Sequence, residues 1–426
     1  MGSVRPELDF DDVLPDESSE AGSTLRGSNV HFHVSGSECT TRSGLYAKQT
    51  SSTTELPTPL KDTKLEALEA ASDGRPPVPK SVGRFQILRK LGSGSYSVVH
   101  LAFDKEENQL VAVKFEWQNA EKTDKLLKEA ALLEVFGSRS PRTTSMIWTG
   151  TKGEYDIMAM NLLGPSLEDV FMKKCRRKFS LKTVLMIGEQ MIDCMEFVHS
   201  HKILHRDIKP SNFVLGPKGQ QEKIYVVDFG LAKSFRDGRG RHIPCVKKSG
   251  MTGTARYTTV NLHRGYEPSR RDDLGSIGYV LLYFLRGQLP WQGINHRDKK
   301  KRKKRIGKKK TATMHEDLCA GFPNEFVEYF RYCDRLRFED KPDYAYLRSL
   351  MHKAAARHKI DFDGQFDWVL RTKRTPAPEN DAFRADDACR ARVTERGPWE
   401  ISSDYAPQYS TYESTYYESY EVGGGQ

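Results

Sequence analysis

The sequence predicts an α+β fold in which a five-stranded antiparallel sheet with one helix comes first and a mainly helical part follows. Three observations predict this class. β-rich runs with short connectors fill residues 84–160, an amphipathic helical pattern covers 181–200, and an almost wholly apolar helical pattern covers 270–287. Because short connectors favour neighbouring strands that run in opposite directions, we expect an antiparallel meander.

Runs rich in β-branched and aromatic residues account for the five predicted strands. The strands cover 84–91, 97–103, 109–117, 147–151 and 155–160, and a helix is predicted at 122–136 between the third and the fourth. In the helix at 181–200, apolar residues recur at steps of three and four and form one face to be buried in the core. The residues of this face are Val184, Ile187, Met191, Met195 and Val198.

Composition indicates that the two ends do not fold. Of the 426 residues 37% are hydrophobic, below the roughly 45–50% of a typical globular domain. Residues 1–82 are acidic and rich in Ser and Thr, and residues 370–426 are rich in Tyr, Ser and Glu. Such segments bury too little apolar surface to offset the entropy of ordering them. We therefore predict disordered tails at 1–82 and 370–426 around a folded region at 83–369.

Two classes of protein are excluded by simple counts. The longest apolar run, 276–285, is far shorter than the ~20 residues that a membrane helix needs. The seven cysteines are scattered and include no C-x-x-C pair, which argues against a disulfide framework or a zinc ribbon. We expect a reduced, monomeric protein of the cytoplasm, the nucleus or both, with no membrane partner.

The positive charge is concentrated in one segment. The net charge is +10, and residues 297–310 alone hold eleven Lys or Arg and one Asp. Seen alone, such a run is most often a mobile, solvated loop. The alternatives are an anion-binding surface, a nuclear-import signal and a patch that binds nucleic acid weakly.

Two weak signals for phosphate binding lie in the strand-rich part. Gly92 and Gly94 join the first two strands, and glycine allows backbone N–H groups to approach a phosphate. Lys114 ends the third strand and Glu129 lies in the predicted helix; an ammonium group held by a carboxylate is a fixed charge that suits phosphate oxygens. Taken singly, each signal is more often explained by an ordinary hairpin turn or by surface side chains.

A stronger signal lies in the helical part. Residues 205–212 read HRDIKPSN and fit the pattern H-R-D-x-x-x-x-N, in which Asp207 accepts the proton of a substrate hydroxyl and Asn212 binds a metal ion. A D-F-G triplet follows, and its first residue, Asp228, would hold Mg²⁺ across the phosphates. The four signals, in this order, point to one site.

With these motifs, the sequence from Arg84 to Trp368 resembles a eukaryotic protein kinase, and it is most similar to the casein kinase I family. The segments that carry the closer resemblance include GPSLEDVF (164–171), GTARYTTVN (253–261) and RFEDKPDYAYLR (337–348). The resemblance implies a bilobal protein-kinase fold with an N-lobe at 83–162 and a C-lobe at 163–369. It further implies that ATP and Mg²⁺ lie between the lobes.

The resemblance also assigns roles to single residues. It places Asp207, Lys209, Lys114 and Glu129 in the catalytic machinery and Asn212 and Asp228 at the metal. The ATP-binding residues that it implies are Leu91, Gly92, Gly94, Val99, Ala112, Lys114, Met160, Leu162 and Leu215. A lysine two residues after the catalytic aspartate resembles serine/threonine kinases, so Lys209 indicates Ser/Thr acceptors.

The basic run acquires a function under this resemblance. Casein kinase I enzymes favour acidic or already phosphorylated protein segments, and the anion site of the family matches Arg256, Gly293 and Arg302, the last of which lies inside the run. Ser249 stands where the family has a lysine. We therefore predict a non-specific serine/threonine kinase that acts on acidic or already phosphorylated protein substrates. The same charges suggest a further hypothesis, in which the acidic C-terminal tail binds the basic surface around residues 297–310.

Three positions depart from the general kinase pattern. Ser97 replaces the third glycine of the phosphate loop, residues 259–261 read TVN instead of Ala-Pro-Glu, and Gly275 replaces a frequent tryptophan. Ser97 and Gly275 support an alternative interpretation, a pseudokinase scaffold with the same fold. Nucleic-acid binding through 297–310 is a second alternative, as a side activity.

Overall fold

The computed structural model describes residues 76–94, 97–118, 125–137, 140–247 and 251–374. Its first part is a six-stranded antiparallel sheet in the order β1-β2-β3-β4-β6-β5. These strands are β1 (Ser81–Val82), β2 (Phe85–Ser93), β3 (Ser97–Asp104), β4 (Gln109–Trp117), β5 (Met146–Lys152) and β6 (Tyr155–Asn161). The prediction of an antiparallel sheet followed by helices is confirmed.

The sheet has one strand more than the five predicted. Val82 in the short strand β1 pairs with Phe85 in β2, and its side chain is buried. β1 lies just before residue 83, the predicted start of the folded region, and the compact unit that contains it begins at Val78. Two buried valines, Val111 and Val113, and Phe115 on β4 join this core cluster. Burial of each such side chain contributes roughly 1.5–3 kcal/mol, which explains why the β-branched run forms the central strand.

One helix, α1 (Lys125–Phe136), packs against β5 and β6. It buries Leu126, Leu133 and Phe136, and Glu129 lies on the same buried side. The prediction began this helix at 122, but residues 119–124 lie outside the described part of the chain.

The second part of the described chain is mainly helical. Its helices are α2 (Leu167–Asp169), α3 (Leu181–Ser200), α4 (Val260–His263), α5 (Arg270–Arg286), α6 (Lys299–Ala312), α7 (His315–Leu318), α8 (Glu325–Arg335), α9 (Tyr344–Arg357) and α10 (Asp367–Arg374). Short strands β7 (Ile203–Leu204), β8 (Phe213–Leu215), β9 (Ile224–Val226) and β10 (Lys233–Ser234) lie between α3 and α4. α10 reaches Arg374, beyond residue 369, the predicted end of the folded region.

The two predicted core helices are as expected. α3 begins at its N-cap Ser180, whose hydroxyl accepts from the Thr183 N–H at 3.2 Å, and the five residues of its predicted apolar face are all fully buried. α5 begins with a capping box formed by Ser269 and Asp272 and is buried along nearly its whole length. No helix in the described ranges is both long and apolar enough to cross a membrane.

The basic run forms a helix rather than a loop. α6 begins after Asp298, whose carboxylate accepts from the Lys300 and Lys301 N–H groups at 2.7 and 3.2 Å. Lysine and arginine favour helix, and Ile306, Gly307 and Lys310 give the helix a buried side. The mobile-loop interpretation was wrong because a few buried positions among many cations are enough to dock the helix.

The predicted tails lie almost entirely outside the described residues. Residues 1–75 and 375–426, including the acidic Tyr-rich stretch, are not among them. The predictions about these tails therefore stay predictions.

Candidate active site

The crossing from the sheet to the helical part lies at residues 162–166. The N–H of Gly164 donates to the Leu215 carbonyl at 2.8 Å, and the Leu215 N–H donates to the Pro165 carbonyl at 3.0 Å. A side chain at Gly164 would lie 2.7 Å from the Gly216 carbonyl oxygen, so glycine is needed for this close approach. The crossing is thereby held against β8, and Leu162 and Leu215 come to the same end of the cleft.

The register of the sheet brings most of the predicted ATP-binding residues to one face. Lys114 pairs with Val99, and Ala112 pairs with Met160. Paired residues and alternate residues along a strand share a face, so these four side chains lie on the side opposite the core cluster. Gly92 pairs with Val99, which places the start of the glycine loop above the same surface.

Two predicted nucleotide residues lie at the margin of that face. Leu91 sits at a register shift of β2 and its side chain is exposed. Gly94 donates its N–H to the Ser97 carbonyl at 2.7 Å, which closes the turn of the loop. Residues 95–96 at its tip are outside the described chain.

The structure joins the predicted lysine, glutamate and aspartate directly. The Lys114 Nζ donates to Glu129 at 2.6 Å and to Asp228 at 3.1 Å. Burial alone would lower the pKa of Lys114, but the carboxylates of Asp228 and Glu129 outweigh it and hold that pKa above its ordinary value. The lysine is therefore a fixed cation inside the cleft.

Asp228 carries the exposed carboxylate of this cluster. The Lys114 ammonium lowers the pKa of Asp228 well below its usual range, so the group is an anion at neutral pH. Its side chain is 43% exposed, compared with 4% for Glu129. Its backbone has a φ of +68°, an uncommon conformation for a residue with a side chain that turns it toward the cleft.

Asp207 is held on both carboxylate oxygens. Lys209 Nζ lies 2.8 Å from Oδ2, and the N–H and hydroxyl of Thr254 donate to Oδ1 at 2.9 and 2.8 Å. The side chain of Asp207 is only 4% exposed. Its orientation is thus fixed by groups from two separate segments.

Asn212 and Asp228 have the donor chemistry of a magnesium site. The Nδ2 of the Asn212 amide donates to the Asp207 carbonyl at 3.0 Å. This bond holds the Asn212 side chain within the loop of residues 205–212. The Val227 N–H donates to the Asn212 carbonyl at 2.9 Å, so the two predicted ligands come from neighbouring backbone. Two side-chain oxygens and phosphate oxygens suit Mg²⁺, and the described residues contain no cluster of three or more His, Cys, Asp or Glu arranged for a metal.

The residue that anchors the catalytic loop was not predicted. Asp273 in α5 accepts the N–H groups of His205 and Arg206, each at 2.9 Å. Its Oδ2 also lies 3.0 Å from the His199 ring. Arg206 has a φ of +67°, and these bonds stabilise that strained backbone. Its place in the kinase pattern D-x-W-S-x-G, at the start of a helix that becomes apolar, was the available signal.

Gly253 and Thr254 were also missed as site residues, although the sequence GTARYTTVN was noted. Gly253 has a φ of +83°, and a side chain there would lie 2.5 Å from the Arg206 carbonyl. Only glycine allows the segment to pass so close to the catalytic loop. This close approach brings Thr254 within hydrogen-bond distance of Asp207.

Hydrogen bonds link Arg256 and Arg302, two residues of the predicted anion site, to the stretch of chain that contains the third, Gly293. Arg256 lies over the rings of Tyr257 and Tyr283, and its carbonyl accepts from the Trp291 indole at 2.7 Å. Gly293 follows two residues later with a φ of +78°. Arg302 donates from its Nε to the carbonyl of Ile294, the next residue, at 3.1 Å. Residues 248–250 are not described, so the role of Ser249 stays a prediction.

The unusual Gly275 is explained by its neighbour. A side chain at Gly275 would lie 2.8 Å from the Thr259 methyl group. The Thr259 hydroxyl donates to Asp272 at 2.5 Å, so the threonine occupies the space beside α5. The departure at 275 and the departure at 259–261 therefore form one packing arrangement.

Comparison with known families agrees with this geometry. A family model described as a protein kinase domain matches residues 85–341. The match covers more than half of the chain and includes every cleft residue described above.

Proposed function

Because the chain belongs to the protein kinase family, we propose that it is an active serine/threonine kinase of casein kinase I type. It transfers the γ-phosphate of ATP to hydroxyl groups in acidic or already phosphorylated protein segments. The observation that carries the proposal is the simultaneous pairing of Lys114 with Glu129 at 2.6 Å and with Asp228 at 3.1 Å. These three groups must be close together for a kinase cleft to align a triphosphate.

In this proposal the nucleotide lies against the face formed by Val99, Ala112 and Met160, with adenine near Leu162. Lys114 binds phosphate oxygens as a fixed charge. Asp228 and Asn212 would hold Mg²⁺, which supplies positive charge to the phosphate oxygens when bound. Asp207 receives the proton of the acceptor hydroxyl, and the bonds from Thr254 keep its Oδ1 fixed.

The position of Lys209 supports Ser/Thr acceptors. Its ammonium lies 2.8 Å from Asp207, which places a positive charge beside the point where the acceptor oxygen and the transferred group meet. There it stabilises negative charge that develops during transfer.

The acceptor preference for anions follows from Arg256 and Arg302. The two arginines are connected through Trp291 and Ile294, and a guanidinium binds phosphate through two parallel hydrogen bonds. Exposed ion pairs are each worth only about 0.2–1 kcal/mol, so the preference requires several cations together. Helix α6 supplies them.

The pseudokinase interpretation loses one of its two supports. Gly275 is accounted for by packing against Thr259. Ser97 lies in β3 and pairs with Glu116, and we propose that it changes nucleotide affinity without abolishing transfer.

The surface of α6 also bears on location and partners. We propose that the kinase is a monomer of the cytoplasm, the nucleus or both, and that the exposed cations of residues 299–310 serve as an import signal. Weak nucleic-acid binding through 297–310 is a side activity in this proposal.

A positional peptide library tests the proposal. Purified kinase with labelled ATP is expected to modify Ser and Thr peptides but not matched Tyr peptides, and to prefer acidic or phosphorylated residues upstream. The double variant Arg256→Gln/Arg302→Gln is expected to lose that preference while keeping its activity on neutral peptides. Binding of ATP without transfer to any peptide would instead establish the pseudokinase.

A further inference from the structure

One lysine of the basic helix differs from the rest. Lys310 is 4% exposed, whereas its neighbours Lys308 and Lys309 face solvent. Its Nζ donates to the carbonyl oxygens of Ala255 at 3.0 Å and Thr258 at 2.5 Å. Among the described residues, no carboxylate charge acts on its ammonium group to offset burial.

Aromatic rings replace the missing counter-charge. The Lys310 Nζ lies 4.7 Å from the Tyr279 ring centroid and 4.8 Å from that of Trp291. Burial lowers the pKa of Lys310, and the rings and carbonyls offset part of the penalty for burying the ammonium group. An apolar side chain of equal length would fill the same space but leave two buried carbonyls without this donor.

The two carbonyls belong to the segment that contacts the catalytic base. Thr254 donates to Asp207, and Lys310 binds the next carbonyl along the chain. The Arg256 carbonyl, between the two that Lys310 binds, accepts from Trp291. Lys310 therefore spans the stretch that joins Asp207 to the proposed anion site.

We propose that Lys310 is a positioning residue of the acceptor site, which holds residues 254–258 so that a bound protein segment is correctly placed against Asp207. The inference rests on the proposed function and adds to it a residue whose effect is on the acceptor alone. Lys310 contacts residues 254–258, which we call the acceptor segment, and the rings of Tyr279 in α5 and Trp291. It is not among the residues that line the nucleotide face.

Kinetics of Lys310→Met with a matched control test the inference. Methionine keeps the length and apolar packing but removes the donor, and Lys309→Met removes a charge from the exposed neighbour. We expect kcat/KM for a peptide to fall about tenfold or more in Lys310→Met, because the Thr258 carbonyl loses the Lys310 donor and the Ala255 carbonyl keeps only 3.3 Å bonds with the Thr258 hydroxyl and the His263 ring. KM for ATP and peptide-independent ATP hydrolysis should stay at wild-type values. In Lys309→Met, all of these values should stay near wild type on a neutral peptide.

Hydrogen exchange gives a readout that does not depend on activity. The N–H groups of Tyr257 and Thr258 donate to the Thr254 carbonyl at 2.9 and 3.1 Å. Their exchange should accelerate in Lys310→Met, while exchange in β3 and β4 stays unchanged. This result is expected even if the wild-type chain binds ATP without transferring phosphate, so failure of the proposed function is distinguishable from failure of this inference.

Two results would overturn it. Wild-type peptide kinetics with wild-type exchange in 254–258 would show that Lys310 does not position the segment. An equal fall in peptide transfer and ATP hydrolysis would show a general structural role. If Lys310→Met does not fold, Lys310→Arg decides in the same way, because its larger donor should displace the two carbonyls and lower peptide kcat/KM while sparing ATP hydrolysis.

Discussion

Two buried lysines of this kinase are held in opposite ways. In the cleft, Lys114 lies between two carboxylates, Glu129 and Asp228. Beneath the acceptor segment, Lys310 is bound by two carbonyls and two aromatic rings. The first arrangement makes a strong permanent charge for phosphate, and the second ties down a piece of backbone. In our proposals, burial of a cation serves phosphate binding in the first region and positioning of the backbone in the second.

The difference is sharpest when a partner is removed. Loss of Lys114 leaves the buried carboxylate of Glu129 and the half-exposed carboxylate of Asp228 without their cation, whereas loss of Lys310 leaves neutral carbonyls. An uncompensated buried charge is more costly than an unpaired carbonyl. Variants of the cleft should therefore have the larger effects.

The largest effect is expected from the cleft pair. Lys114→Met should lower phosphate transfer by about 100-fold or more. It should also lower the free energy of unfolding by about 3–5 kcal/mol, because Glu129 stays buried without its partner. The double variant Lys114→Met/Glu129→Leu should recover much of the stability but none of the activity, as measured by urea unfolding and labelled ATP.

The control for the cleft pair is Lys128→Met, in the same helix as Glu129 but outside the cluster. It should leave both measurements near wild type. Additive losses of stability in the double variant would contradict a direct coupling between Lys114 and Glu129.

A smaller effect is expected where the acceptor segment meets the base. Thr254→Val removes the hydroxyl bond to Asp207 and keeps the backbone N–H bond, so kcat should fall about tenfold. KM for ATP should not change, as steady-state kinetics at varied ATP would show. Thr252→Val is the matched control. Equal kinetics for the two variants would show that the Thr254 hydroxyl does not contribute to catalysis through Asp207.

The smallest effect on activity is expected from Glu116, a carboxylate near the end of β4 that pairs with Ser97 and changes stability. Burial raises the pKa of Glu116 to about 7, from an ordinary value of 4.5. The folded chain thus keeps this proton to a higher pH than the unfolded chain, and ionisation of Glu116 destabilises the fold as pH rises from 4.5 to 7. Glu116→Gln should therefore stabilise the protein by up to about 3 kcal/mol at pH 8 but not at pH 4.5, since each pKa unit corresponds to ~1.4 kcal/mol.

Urea unfolding of wild type and Glu116→Gln at the two pH values measures that difference. A gain of the same size at both would mean that the proton on Glu116 does not contribute to the pH dependence of stability.

The sequence predicted the cleft better than the acceptor region. Lys114 lies in a predicted strand, Glu129 in the predicted helix that follows and Asp228 in the D-F-G triplet, so local patterns located all three. The residues of the predicted nucleotide face came from the resemblance, and the register of β3, β4 and β6 places them on one side of the sheet.

The contacts that hold the acceptor segment depend on distant pairs that local patterns do not contain. Asp273 lies 68 residues from His205, and Lys310 lies 55 residues from Ala255. The burial of Lys310 could not be predicted from composition either, because nothing in the sequence distinguishes it from the exposed lysines of the same run. For the same reason α6 was first interpreted as a loop: its three buried positions do not form a visible apolar stripe.

The most direct test of the account compares wild type with Asp207→Asn in transfer of labelled phosphate from ATP to casein, with ATP affinity measured on the same samples. Wild type should transfer phosphate, and Asp207→Asn should bind ATP as tightly but transfer it about 10²–10⁴-fold more slowly, because the proton acceptor is lost. Full activity of Asp207→Asn, or no transfer by wild type, would contradict the account.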